Sequence, residues 1–261
     1  MAYIKEYWND KESRAKKAQE HSAEMLKTYK DDIKSAVKAT KIYDGAVNCK
    51  TVNILATDTK FVVTDLDTVS AACKYRGEGM VALLNFASYK NPGGAFLDGS
   101  KAQEECLCHE SFLYNVLDAF RGTYYAWNNE HRNKALYFNR ALFTPGVVFN
   151  HNGEIFNCDV ITCAAPNKSA AQKYKNVSDG ENTKVLKSRI KFVLDIAKDN
   201  GIETLILGAY GCGVFGQDAR EVASIFKEYL STTHKCFKTV VFAIPSGRDR
   251  NLDTFKRVFK G

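Results

Sequence analysis

Residues 1–43 contain neither proline nor glycine, and Ala, Lys and Glu dominate. That stretch predicts helix over 6–39, as one long helix or two short ones. From about residue 50 the pattern changes to short apolar runs alternating with amphipathic stretches. Residues 60–64 read as a strand, 67–75 as a helix, and 80–86 as a buried strand bounded by Gly79 and a polar loop. A glycine-rich loop over 88–102 leads into a helix expected over 103–120. Weaker strands are expected near 135–139 and 146–149, and a buried strand over 159–164. Val185, Leu186, Ile190, Val193, Leu194 and Ala197 share one face of a helix over 183–199. A strand at 204–207, a glycine-rich loop at 208–216, a helix at 218–230, a strand at 239–244 and a helix at 252–259 complete the pattern. Residues 121–134 and 167–182 read as long polar surface loops.

Strands that alternate with helices, and are themselves almost continuously apolar, predict a layered α/β fold. Its sheet would be largely parallel and buried on both faces. Residues 1–49 are expected to be a helical extension packed on a main domain over 50–261. Ligands in such folds bind at the carboxyl ends of strands, where both glycine-rich loops fall.

The 261 residues are 45 % hydrophobic and 12 % aromatic, too apolar for a disordered chain and long enough for a substantial core. No run approaches the roughly 18 apolar residues of a membrane span. The polar N-terminus does not read as a secretory signal, so an intracellular protein, cytoplasmic or nuclear, with reduced cysteines is expected. The eight cysteines include Cys49 and contain no C-x-x-C spacing. Cys106, Cys108 and His109 would not share a helical face, so no metal is expected. A net charge of +7 suits a polyanionic ligand. The excess is weakly localised, most of it in residues 227–261, where it forms no solid basic block; no nucleic-acid motif accompanies it, so sequence-specific nucleic-acid binding is not expected.

Two loops carry the chemistry. The first runs from Asn85 through Gly93-Gly94-Ala95 to Gln103-Glu104-Glu105. The second is Gly208-Ala209-Tyr210-Gly211-Cys212-Gly213-Val214-Phe215-Gly216. Glycines between a strand and a helix leave free N–H groups that suit a phosphate. Neither a Walker motif nor a G-x-G-x-x-G fingerprint is present. By mechanism alone the loops indicate a diphosphate or nucleotide binder. An acidic first helical turn such as Gln103-Glu104-Glu105 can also serve simply to complement the helix dipole.

Together the loops resemble the macrodomain superfamily, and within it the bacterial-type poly(ADP-ribose) glycohydrolases. Leu84-Asn85-Phe86-Ala87 and Cys163-Ala164-Ala165-Pro166-Asn167 match the same pattern, which covers roughly residues 50–245. One departure is Ala95, where the family usually has a third glycine. The resemblance implies a three-layer α/β/α macrodomain with a mixed, largely parallel sheet. It implies hydrolysis of ribose–ribose O-glycosidic bonds with release of ADP-ribose, without a cofactor. Glu105 would be the acid/base, with Glu104 on the distal ribose hydroxyls and Asn85 orienting that ribose. Gly93, Gly94, Gly211, Cys212 and Gly213 would cradle the diphosphate, and Phe215 would fix the distal ribose. Ala95, Gln103 and Val214 complete the expected lining, with Asp67 and Asn167, and also Asp65 and Ile244-Pro245, as candidates at the adenine. Implied partners are ADP-ribose, poly(ADP-ribose) or an ADP-ribosylated protein. Alternatives are hydrolysis of single ADP-ribose groups from protein side chains and ADP-ribose binding without catalysis.

Overall fold

The computed structural model describes residues 6–47, 58–247 and 249–260; Cys49 and the expected 49/50 boundary lie outside them. After a 3-10 turn at Glu6–Asn9 come helices α1 (Lys11–Thr28) and α2 (Lys30–Ala39), so the proline-free stretch forms two helices. Asp10 caps α1 by accepting from the Ser13 amide. Strand β1 (Lys41–Asp44) follows, then β2 (Lys60–Thr64), α3 (Thr68–Tyr75) and β3 (Val81–Phe86). Next are α4 (Gln103–His109), α5 (Leu113–Asp118), α6 (Ala126–Glu130), β4 (Arg140–His151) and β5 (Glu154–Cys163). The chain continues with α7 (Lys168–Lys175), α8 (Asp179–Asp199), β6 (Thr204–Leu207), α9 (Ala219–Ser231), β7 (Thr239–Ala243) and α10 (Asn251–Phe259).

The described strands form one seven-stranded sheet in the order β1-β4-β5-β3-β6-β7-β2. Strands β5, β3, β6, β7 and β2 are mutually parallel, and β4 runs antiparallel to both its neighbours. Successive strand residues point to opposite faces. Leu83, Val160, Ile206 and Val241 enter one core, with α1, α2, α3 and α5. Leu84, Ile161, Leu205 and Val240 enter the other, with α8, α9 and α10. The result is the expected three-layer, mainly parallel α/β fold. Strand β1 extends the sheet beyond β4, so the chain joins the sheet before residue 49.

Four local expectations are corrected. No strand forms over 135–139, because Asn133, Lys134, Ala135 and Tyr137 all have positive φ, which breaks an extended backbone. Strands β4 and β5 are much longer than expected and meet at a tight turn. There Asn152 and Gly153 take φ of +52° and +89°, which their residue types favour. The expected 103–120 helix breaks where Glu110 accepts from the Asn150 amide and Ser111 bridges to Phe149. The expected loops at 121–134 and 167–182 are partly helical. Residues Arg121–Tyr125 form a π-helical turn running into α6, with Tyr124 and Tyr125 buried in the core, and α7 and α8 occupy most of the second stretch.

Candidate active site

Strands β3 and β6 are neighbours in the sheet, so their carboxyl ends place the two glycine-rich loops side by side. Between them lies a cavity of about 310 Å³, reaching from Phe86 and Gln103 to Asp67, Ile244 and Pro245. A second cavity of about 220 Å³ is bordered by Ala165, Gly211, Val214 and Phe215. Both are lined by Phe86, Ala102, Gln103, Ala209 and Gly213, so they form one elongated cleft.

The two adjacent glutamates at the start of α4 are both buried. Glu104 accepts from Asn85 Nδ2 at 3.1 Å through Oε1 and from the Ser88 amide at 2.7 Å through Oε2. Burial pushes its carboxyl up to about 8 in spite of those bonds. Glu105 accepts from the Ala95 amide at 3.0 Å through Oε1, whereas its Oε2 is buried without a hydrogen-bond partner. Neither glutamate borders the two cavities, whereas their chain neighbour Gln103 borders both.

Gly94 lets the first loop approach both carboxylates. Its φ is +64°, and a Cβ there would stand 2.5 Å from Glu105 Oε1 and 3.0 Å from Glu104 Oε2. The first loop was expected to turn the amides of Gly93 and Gly94 toward a diphosphate. Instead the Gly94 amide donates to Asn91 O, and the loop closes on the two carboxylates. Ala95 lies outside the left-handed region that Gly93 and Gly94 occupy, so its methyl group meets no conformational penalty.

Gln103 is anchored rather than free. Its Oε1 accepts from the Phe86 amide, and its Nε2 donates to Leu84 O and Thr68 Oγ1. Asn85 is fully buried, and donates to Thr162 Oγ1 as well as to Glu104. Parallel pairing of β3 with β5 sets Thr162 opposite Asn85.

In the second loop, Gly211 has a φ of +76° and lies against Ala165 and Gln217 where a side chain would stand. Gly213 faces open space, and Val214 is 88 % exposed. The Cys212 thiol donates to Tyr210 O, and burial pushes it up to about 12, which excludes a thiolate near neutral pH. Phe215 lies 6.2 Å from Tyr137, which stacks on Tyr89 at 4.2 Å. Asp67 borders the other end of the cleft while its carboxylate caps α3 by accepting from Ser70. Asn167 caps α7 and borders neither cavity.

The cleft therefore gathers Asp67, Gln103, Gly211, Gly213, Val214 and Phe215, while Asn85, Gly94, Ala95, Glu104 and Glu105 form a cluster of their own that adjoins it in sequence at Gln103 and Phe86. Sequence reasoning missed Ser88, Thr162, Tyr89 and Tyr137. Strand register alone brings Thr162 to the site, and no local motif marks the tyrosine stack. Among the described residues no cluster of His, Cys, Asp and Glu could hold a metal, and no helix is long and apolar enough to cross a membrane.

Residues 12–152 match the family model of the microbial-type poly(ADP-ribose) glycohydrolase catalytic domain. Among solved structures, the poly(ADP-ribose) glycohydrolase of Thermomonospora curvata is 31 % identical, with a TM-score of 0.84, over 95 % of this chain and 100 % of that one. The same enzyme bound to the inhibitor ADP-HPD is matched at 30 % identity and a TM-score of 0.81, over the same shares of the two chains. The Deinococcus radiodurans poly(ADP-ribose) glycohydrolase in complex with ADP-ribose is matched at 30 % identity and a TM-score of 0.77, over 87 % of this chain and 97 % of that one. No curated protein matches the sequence.

Proposed function

Because the chain belongs to the microbial-type poly(ADP-ribose) glycohydrolase family, we propose that it hydrolyses the ribose–ribose O-glycosidic bonds of poly(ADP-ribose) and releases ADP-ribose, with Glu105 as the proton carrier. The observation that carries the assignment is the asymmetry of the two carboxylates. Glu105 is fixed by one oxygen and keeps the other without a partner. Both oxygens of Glu104 already accept N–H bonds.

In this reading Glu105 Oε2 delivers a proton to the ribose oxygen that departs as the C–O bond breaks. An oxocarbenium-like ribose remains. Water then attacks it and returns a proton to the same carboxylate. Glu104 uses its remaining lone pairs for the distal ribose hydroxyls. The ribose reaches the carboxylates past Gln103 and Phe86, and Phe215 closes the outer side. The diphosphate falls to the open backbone of the second loop around Gly213, since the first loop's Gly94 and Ala95 amides are engaged. The base would occupy the end bordered by Asp67, Ile244 and Pro245.

The test compares Glu105→Gln and Glu104→Gln on poly(ADP-ribose). Glu105→Gln should lower turnover by about 10²–10⁴-fold while ADP-ribose affinity stays close to that of the parent. Near-normal turnover in Glu105→Gln, with the larger loss in Glu104→Gln, would assign the proton to Glu104. A parent protein that binds ADP-ribose and cuts neither the polymer nor singly modified proteins would overturn hydrolysis altogether. Release from singly modified proteins alone would instead support the side-chain hydrolase.

A further inference from the structure

We infer that helix α1 belongs to the catalytic apparatus, with Arg14 as a positioning residue that sets Glu105 through the loop between Gly94 and Gln103. The inference rests on the role proposed above for Glu105.

The loop leaves the diglycine at Ala95, swings out to Gly99 and returns to α4. At its outermost point it touches α1. The buried Arg14 guanidinium donates from Nε to Gly99 O at 2.7 Å and from Nη1 to Trp8 O at 2.6 Å. Gly99 has a φ of +77°, and a Cβ there would lie 2.1 Å from Lys11 O and 2.9 Å from Ala15 N. The loop backbone therefore seats directly on the first turns of α1, where only glycine fits. Phe96, fully buried, fixes the other limb against His109 at 4.7 Å and Tyr114 at 5.3 Å between ring centres.

A continuous set of hydrogen bonds then links α1 to the carboxylate. Arg14 holds Gly99 O, the next residue's amide (Ser100) donates to Ala95 O at 3.1 Å, and the Ala95 amide donates to Glu105 Oε1. Moving Gly99 moves Ser100, and with it the peptide that orients Glu105. No residue of α1 borders the cleft, which takes only Lys101, Ala102 and Gln103 from the end of this loop. Arg14 should therefore affect the chemical step more than ligand affinity. Burying a guanidinium against backbone carbonyls is costly unless its donors are used, and a charged donor makes the stronger bond.

The experiment uses the full chain with Arg14→Ala. Three readouts are compared with the parent and with Glu105→Gln. These are steady-state turnover of poly(ADP-ribose), ADP-ribose affinity by calorimetry, and backbone hydrogen exchange over 93–102. The expected result is a fall in kcat of about 10–100-fold, the scale of a small misplacement, with KM and ADP-ribose affinity nearly unchanged. Exchange over 93–102 should quicken. Low concentrations of guanidinium ion should restore part of the lost turnover in Arg14→Ala and none in Glu105→Gln. Unchanged kcat and unchanged exchange would overturn the inference. So would a parallel loss of kcat, affinity and thermal stability that guanidinium does not relieve, because that pattern marks a purely structural arginine. Normal turnover in Glu105→Gln would overturn the role of Glu105 instead, and the exchange measurement would still report whether Arg14 holds the loop.

Discussion

Gly94 and Ala95 are neighbours with opposite requirements. A side chain at Gly94 would meet both carboxylates on a left-handed backbone, whereas Ala95 already carries its methyl group outside that region. Gly94→Ala should therefore displace Glu105 and lower kcat by about a hundredfold. Ala95→Gly should leave turnover close to the parent and cost at most about 1 kcal/mol of stability through the freer unfolded chain. Steady-state kinetics and denaturant unfolding of the two variants check the pair. Equal losses in both would mean that the loop needs three special positions. Glu104 makes a pH prediction. Burial raises its carboxyl from 4.5 to about 8, so between those values the folded protein binds more protons than the unfolded chain. The stability due to the neutral carboxyl is complete below 4.5 and is lost as pH rises through about 8. Glu104→Gln cannot titrate, so its unfolding temperature should fall less than the parent's across that window. Parallel profiles would contradict the raised carboxyl.

At the scale of elements, α4 is the piece whose placement decides the site, yet its N-cap, Ala102, makes no side-chain capping bond. Gln103 does the fastening, through β3 at Phe86 N and Leu84 O and through α3 at Thr68. Gln103→Ala should lower stability by about 1–3 kcal/mol, because it leaves backbone groups next to the cleft without partners. Turnover should fall with it, measured alongside denaturant unfolding. A loss of turnover with full stability would give Gln103 a direct part in substrate binding.

Elements also show what the sequence makes legible. The central strands could be read because both faces are buried, and a run such as Val81–Leu84 has no polar alternative. Helix α8 could be read from its apolar face, and the caps Asp67 and Asp218 stand where helices α3 and α9 were expected to begin. The hairpin of β4 and β5 was legible in principle from Asn152-Gly153, a strong turn signal. The weaker strands expected near 135–139 and 146–149 missed it, and Pro145-Gly146, inside β4, is absorbed as an irregularity between Thr144 and Val147. Tyr124 and Tyr125 could not be placed, because their burial depends on a core assembled from distant segments. The two glutamates, by contrast, were marked by a local motif, Gln103-Glu104-Glu105. Arg14, whose contact at Gly99 is tertiary, was not.

The whole molecule carries +7, and residues 227–261 hold much of the excess, with Arg250 and Arg257 exposed. That segment adjoins the end of the cleft bordered by Ile244, Pro245, Asp249 and Asn251. On the proposed activity, one ADP-ribose unit fills the cleft and the rest of the polymer continues outside it, a diphosphate in every repeat. Basic side chains near the base end would attract that outer chain over roughly one Debye length, about 8 Å at physiological salt. They would contribute little to a single unit held inside. KM for long polymer should therefore rise more steeply between about 50 and about 200 mM salt than KM for the shortest cleavable oligomer. Neutralising Arg250 and Arg257 together should flatten that slope for long chains and leave kcat unchanged, since neither residue belongs to the cleft or to the cluster around Glu105. If long and short substrates respond to salt alike, the surface charge takes no part in holding the polymer. The substrate is then recognised entirely by what the two glycine-rich loops enclose.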